Sequence, residues 1–168
     1  MQPQLLQIPL NKKDIIYTPP WVAADMVNFF QPKGRILEPC KGDGIFLKYL
    51  PPHTEWCEIE AGRDFFTWTD HVNWIIGNPP YSAFSKWVYH AMNISDNIVY
   101  LVPSAKAFYS EKLLDKMFQW GRLKHNRVYG GGHKLNFPIG FVIAALHWQR
   151  DYHGPMYTSK AQPATIEP

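Results

Sequence analysis

Val72-Asn73-Trp74-Ile75-Ile76-Gly77 runs directly into Asn78-Pro79-Pro80-Tyr81, and that junction sets the expected architecture. The first five residues are mostly apolar with a β-branched pair, the pattern of a short buried strand, and Gly77 lets the backbone leave it. Asn78 to Tyr81 therefore falls at a strand's carboxyl end. Asn-Pro is first of all a turn signal, and plain punctuation between a strand and a helix would account for it. Two successive prolines do more. They fix two φ angles and remove two N–H donors, so the turn offers rigid carbonyl acceptors beside the Asn78 amide oxygen and the Tyr81 ring. Such a site suits an amino group on a flat conjugated ring, whose lone pair is delocalised. Acceptors fixed on both of its hydrogens favour the pyramidal nitrogen, while Tyr81 holds the ring by stacking.

Working upstream, Gly34-Arg35-Ile36-Leu37-Glu38 predicts a strand, Pro39-Cys40-Lys41-Gly42-Asp43-Gly44 a tight loop, and residues 45–50 a helix. Strand, glycine loop and helix form the front of a βαβ unit. The loop lacks both the third glycine of the dinucleotide fingerprint and the Gly-Lys-Ser/Thr of a phosphate loop, so it disfavours a pyrophosphate or triphosphate ligand. Residues 54–59 predict a second short strand ending at Glu58, where doubly wound folds place the acid that grips ribose hydroxyls. Asp64 then precedes Phe65 and Phe66, either as a turn over core rings or as an acceptor for an adenine amino group. At the front, Tyr17-Thr18-Pro19-Pro20 marks a helix start with Thr18 as the expected cap. Residues 21–30 form the helix, and residues 1–16 are expected to be an extended arm.

Downstream, Ser82 is the expected cap of a helix over 83–92. A strand over 97–102 and an amphipathic helix over 111–120, stopped by Gly121, come next. Two further strands, 126–129 and 141–148, flank a loop over 130–138, and residues 151–168 are expected to be a loose tail. The alternation predicts an α/β fold: a doubly wound, mainly parallel sheet with helices on both faces and a C-terminal antiparallel hairpin, in one catalytic domain over 17–150.

A chain of 168 residues with 46% hydrophobic and 18% charged residues suits one domain with a full core. Net charge +3 permits a polyanionic partner without demanding one. Lys106, Lys112, Lys116, Arg122, Lys124, Arg127 and Lys134 could supply a basic face, although such charges usually lie on a solvated one. Cys40 and Cys57 have no paired spacing, the His residues do not cluster, and no apolar run suits a membrane span. The expectation is a cytoplasmic, reducing setting with no metal.

Taken in order, these residues resemble the amino-group DNA methyltransferases that use S-adenosylmethionine, in their adenine-modifying branch. Tyr17-Thr18-Pro19 is similar to the family's N-terminal cofactor motif. Leu37-Glu38-Pro39 with Gly42, Gly44 and Phe46 is similar to its glycine loop, and Asn78-Pro79-Pro80-Tyr81 to its catalytic motif. Glu58 and Ile59 resemble the pair that holds ribose and adenine, and Asp64 and Phe65 the pair that reads the cofactor's adenine. The resemblance spans 17–148 and implies the class I, Rossmann-like methyltransferase fold, S-adenosylmethionine as cofactor, and the N6 amino group of adenine in DNA as methyl acceptor. Asn78 would serve both catalysis and cofactor, and Tyr81, Lys134 and Phe137 would contact the substrate, Phe137 as a base-stacking aromatic. The same motif is similar to those of RNA adenine methyltransferases and of enzymes that methylate a glutamine amide. A non-catalytic subunit with this fold is a further alternative, disfavoured by the intact motifs. No segment is long enough for a target-recognition domain. Substrate contacts are therefore expected from the 130–138 loop, the N-terminal arm or a homodimer.

Overall fold

The computed structural model describes residues 15–163, and the predicted arm over 1–16 lies almost wholly outside them. Helix α1 spans Pro20–Phe30, with proline in its first turn and Val22, Ala23, Met26 and Phe30 buried at helical spacing. Thr18 is not its cap: Pro19 holds that position and no side chain caps the helix. The strands are β1 (Ile36–Glu38), β2 (Glu55–Trp56), β3 (Val72–Gly77), β4 (Ser95–Pro103), β5 (Gly121–Gly131), β6 (Val142–Arg150) and β7 (Tyr157–Lys160). Helix α2 (Phe84–Ile94) joins β3 to β4, and α3 (Glu111–Trp120) joins β4 to β5.

The seven strands form one sheet in the order β2-β1-β3-β4-β6-β5-β7. Strands β2, β1, β3 and β4 are mutually parallel, and β6 runs antiparallel to β4 and β5 on either side. This is the predicted mainly parallel sheet with its antiparallel hairpin. Along β4, Ile98, Tyr100 and Val102 enter one core while Val99 and Leu101 enter the other. The period-2 pleat thus buries both faces of a continuous apolar run. α2 and α3 cover the first face with residues such as Trp87, Val88 and Leu113, and α1 covers the second with Val22, Ala23 and Met26.

Several local expectations give way. The helix expected over 45–50 is a single 3₁₀ turn, Phe46–Lys48, because Gly44 holds a left-handed φ of 81° just before it and Pro51-Pro52 ends the run just after. Ser82 lies within a 3₁₀ turn, Tyr81–Ala83, and α2 begins at Phe84, one residue later than a Ser82 cap would place it, with Ala83 at the cap position and no side-chain cap. The expected loose tail instead contributes β7, which pairs parallel to β5 from His125↔Tyr157 to Val128↔Lys160. Ser159 anchors it by hydrogen bonds with His125 and Arg127. The expected 130–138 loop is also built: Gly132–Leu135 is a 3₁₀ turn, and the Phe137 N–H donates to the Gly132 carbonyl at 2.9 Å. A Cβ on Gly132 would lie 2.1 Å from the Ile139 carbonyl oxygen, so this glycine serves close packing rather than mobility.

Arg127 is drawn into the structure. Its guanidinium forms a bidentate pair with Asp25 on α1, at 2.6 Å for each bond, and Tyr129 donates to the same carboxylate at 2.6 Å. Burial opposes ionisation of Asp25, but the Arg127 and Tyr129 hydrogen bonds prevail and hold its pKa below the ordinary carboxylate value. The pair is 14% and 21% exposed, so removing one partner strands the other in a water-poor site. Arg127→Met is expected to cost about 3 kcal/mol in urea unfolding, and the double variant Asp25→Leu/Arg127→Met to recover part of that loss. The wild type should lose this contribution as pH falls through the lowered Asp25 pKa, and Arg127→Met should be flatter over the same range.

Candidate active site

Strand order reverses between β1 and β3, because β2 continues from β1 on one side and β4 from β3 on the other. Open α/β sheets bind ligands at the carboxyl ends flanking such a reversal. Glu38 ends β1 and Gly77 ends β3. A Cβ on Gly77 would lie 2.8 Å from the Glu38 Oε1 and 3.0 Å from the Pro39 Cδ, so glycine makes room here for the Glu38 carboxyl and the Pro39 ring. Glu38 is fully buried; its Oε1 accepts from the Cys40 N–H at 3.1 Å, and its Oε2 has no partner among the described residues. Burial pushes its pKa up to about 8. Burial also raises the Cys40 thiol and the Tyr81 and Tyr100 phenols, so the groups around Glu38 hold their protons at neutral pH.

Beside Glu38 the loop turns through Gly42 and Gly44, whose φ angles of 52° and 81° suit glycine. The Gly42 N–H donates to the Glu58 carboxylate at 2.8 Å, which ties the loop to the acid beyond β2. Glu58 also caps the 3₁₀ turn Ile59–Ala61, and the Ile59 side chain is exposed at this rim. Asp64 caps the turn Phe65–Thr67 by accepting from the Phe66 N–H at 2.9 Å. Tyr17 is exposed. Two rings expected at the cofactor are core instead. Phe65 is buried and stacked on Trp87 at 4.8 Å and 13°, and Phe46 is buried in the cluster that includes α1, so their side chains offer no open face.

Asn78 is the centre of the site. Its side-chain nitrogen donates to the Ile16 carbonyl at 2.9 Å and to the Thr18 hydroxyl at 3.1 Å. A carbonyl can only accept, so the amide nitrogen must face Ile16, and both of its hydrogens are spent. The amide oxygen is left buried with no hydrogen-bond partner among the described residues. An unmatched buried acceptor costs about 1–3 kcal/mol. Neither contact is visible in the sequence, where Thr18 reads as a helix cap and as part of the motif that resembles a cofactor site. Their only sequence signal is the position of Tyr17-Thr18-Pro19 ahead of the first helix.

Pro79, Pro80 and Tyr81 follow at the mouth of α2, and the Tyr81 ring is largely buried. Tyr81 also lines a cavity with Ser82, Ser85, Lys106, Tyr109 and Ser110, a feature that no motif announced. The expected substrate residues downstream divide. Lys134 is exposed, whereas Phe137 is 3% exposed and belongs to the α1-side core. Its burial follows from the folded 132–141 connection, and a ring so placed cannot serve as an open stacking platform. Arg127, committed to Asp25, leaves the set of free cations.

No family model and no curated protein matches the chain, so likeness rests on solved structures. The methyltransferase subunit of a type I restriction-modification system from Streptococcus thermophilus superposes with a TM-score of 0.64 at 12% identity, covering 86% of this chain and 47% of that one. A Listeria monocytogenes protein described as a class I S-adenosylmethionine-dependent methyltransferase gives 0.62 at 12% identity, covering 91% and 68%. The 23S rRNA methyltransferase ErmE gives 0.58 at 12%, covering 77% and 67%. The chain spans about half the length of the restriction-modification subunits it matches. Likeness at these identities establishes the fold, which is that of the class I S-adenosylmethionine-dependent methyltransferases.

Two outcomes test this geometry. Neutral Glu38 favours the folded state below pH 4.5, and the contribution is lost as pH rises toward about 8. Glu38→Gln, an isostere of the neutral acid, should therefore melt higher than wild type above pH 8 by at least ~2–4 °C, with the difference closing toward pH 4.5. Phe137→Ala should cost about 3–5 kcal/mol in urea unfolding, as a core truncation does.

Proposed function

We propose that the chain is an S-adenosylmethionine-dependent methyltransferase acting on the N6 amino group of adenine in DNA. One observation carries the reading: the buried Asn78 oxygen, fixed by two spent amide hydrogens and matched by no donor among the described residues. It is the acceptor that an exocyclic amino group requires.

The residues present fit the cofactor. The glycines at 42 and 44 leave the backbone of the loop open, the Cβ direction of Gly44 meeting nothing within 4 Å. The Glu38 Oε2 lacks a partner, and a positively charged ligand would draw it into its ionised form. Glu58, beyond the next strand, would hold ribose hydroxyls, and Ile59, Asp64 and Tyr17 would contact the cofactor. When bound, S-adenosylmethionine supplies an electrophilic methyl on sulfur. The protein's share is positional. Asn78 and the Pro79 carbonyl accept the two amino hydrogens, which localises the nitrogen lone pair for attack. Tyr81, largely buried but lining the neighbouring cavity, would meet the extruded base only with the part of its ring that faces that cavity; it stays protonated, and the surplus proton of the methylated nitrogen leaves to solvent.

A second substrate, adenine in RNA, draws support from the likeness to the rRNA methyltransferase ErmE. Free Cys40 and Cys57 suit an intracellular setting, and no described helix is long and apolar enough to cross a membrane. Methyl transfer from labelled cofactor to separated DNA, RNA and protein, followed by identification of the modified residue, decides the substrate. N6-methyladenine in DNA is expected, and label confined to protein would overturn the nucleic-acid reading. Asn78→Ala should reduce turnover about 10²–10³-fold. Asp64→Ala should weaken cofactor binding about tenfold by calorimetry.

A further inference from the structure

The substrate side of the catalytic turn has a second wall. Tyr109 is the most exposed large apolar side chain among the described residues, at 82%, and neighbouring Phe108 stands at 59%. Both belong to the segment between β4 and α3, just beyond a strand's carboxyl end. Between this segment and the start of α2 lies a cavity of about 130 Å³. Tyr81, Ser82 and Ser85 line one side and Lys106, Tyr109 and Ser110 the other, with no carboxylate among the lining residues. Glu111 opens α3 but does not line it.

The chemistry of this lining is that of a nucleotide. The Lys106 Nζ lies 5.3 Å from the centre of the Tyr109 ring and pairs with no carboxylate among the described residues, so an ammonium and a stacking face are held together. Ser110 accepts from the Leu113 N–H and keeps its own hydrogen to donate. The cavity also shares Tyr81 with the site around Asn78, so whatever occupies it lies next to the group being modified. With Phe137 buried, an open ring on the substrate side has to come from elsewhere, and Tyr109 is in place.

We propose that the nucleotide adjoining the target one docks over the mouth of this cleft, with the exposed Tyr109 ring stacking its base and Lys106, helped by the Ser85 and Ser110 hydroxyls, drawing the phosphate between the two into the cleft. The inference rests on the reading of the substrate as a polynucleotide. An exposed aromatic paired with a cation is the arrangement by which proteins track single strands without reading sequence.

The full chain and its variants Tyr109→Ala, Tyr109→Trp, Lys106→Ala and Lys106→Arg are compared in three measurements. These are anisotropy of a fluorescein-labelled oligodeoxyadenylate, steady-state methyl transfer to the same strand, and calorimetric affinity for S-adenosylmethionine. Tyr109→Ala should raise Kd and KM for the strand about tenfold with kcat and cofactor affinity little changed, and Tyr109→Trp should restore binding. Lys106→Ala should lower the slope of log Kd against log salt by about one, and Lys106→Arg should retain it. If the wild type methylates the strand while Tyr109→Ala and Lys106→Ala match it in Kd, KM and salt slope, the proposal falls and the methyltransferase reading stands. A loss in kcat alone, or an equal loss of cofactor affinity, would mean a structural role and would also overturn it. A wild type that neither binds nor methylates any polynucleotide would overturn both.

Discussion

The contact between Glu38 and the backbone of Gly77 is the constraint on which the site depends. The Glu38 carboxyl and the Pro39 ring can lie over the end of β3 because Gly77 carries no side chain there. The approach excludes water from Glu38 and leaves one of its oxygens without a donor. It also delivers Asn78, the next residue, to the same point. The placements of Glu38 and Asn78 are thus two results of one packing event, so a change at Gly77 would disturb both residues of the proposed site at once.

Orientation of the Asn78 amide is a separate problem with a separate solution. A primary amide can rotate and present either end, and in water neither is favoured. Spending both N–H bonds on Ile16 and Thr18 removes that freedom before any substrate arrives. The unmatched oxygen is a cost borne by the folded protein; the Asn126 oxygen is unmatched too, and what sets Asn78 apart is its place at the reversal in strand order. Preorganisation of this kind lowers the reorganisation needed at the moment of reaction.

The sheet was legible because its signal is strong: period-2 burial on both faces of β4, glycine and proline breaks at strand ends, and an uninterrupted helical stripe in α3, which spans the expected residues. The motif residues also fell where strand ends were expected, with Glu38, Gly42, Asn78 and Tyr81 around one reversal point. What sequence could not give were features set by partners distant along the chain. Thr18 has the local look of a cap, but Asn78 competes for its hydroxyl. Phe137 follows a glycine-rich run that suggests a mobile loop, yet close packing of Gly132 on Ile139 folds the run and draws the ring inside. Four polar and aromatic residues near the end carry no strong strand pattern, and only the open edge of β5 makes them β7. The cavity beside Tyr81 joins residues from two elements and has no one-dimensional signature.

The tie between Asn78 and residues 16 and 18 spans sixty or more positions of the chain, and the segment that supplies it precedes the first helix. Contacts so distant in sequence carry a large loop-closure cost in folding. Ile16 packs against both cores and Thr18 is buried, but the segment adds no strand to the sheet, so it can detach at a free-energy cost below that of opening the sheet. A molecule in that state would retain its core and its spectroscopic signature while its amide turned freely. Heating would then abolish the proposed activity at temperatures where the fold is still intact, and the gap between inactivation and melting would measure how firmly Ile16 and Thr18 hold one side chain in place.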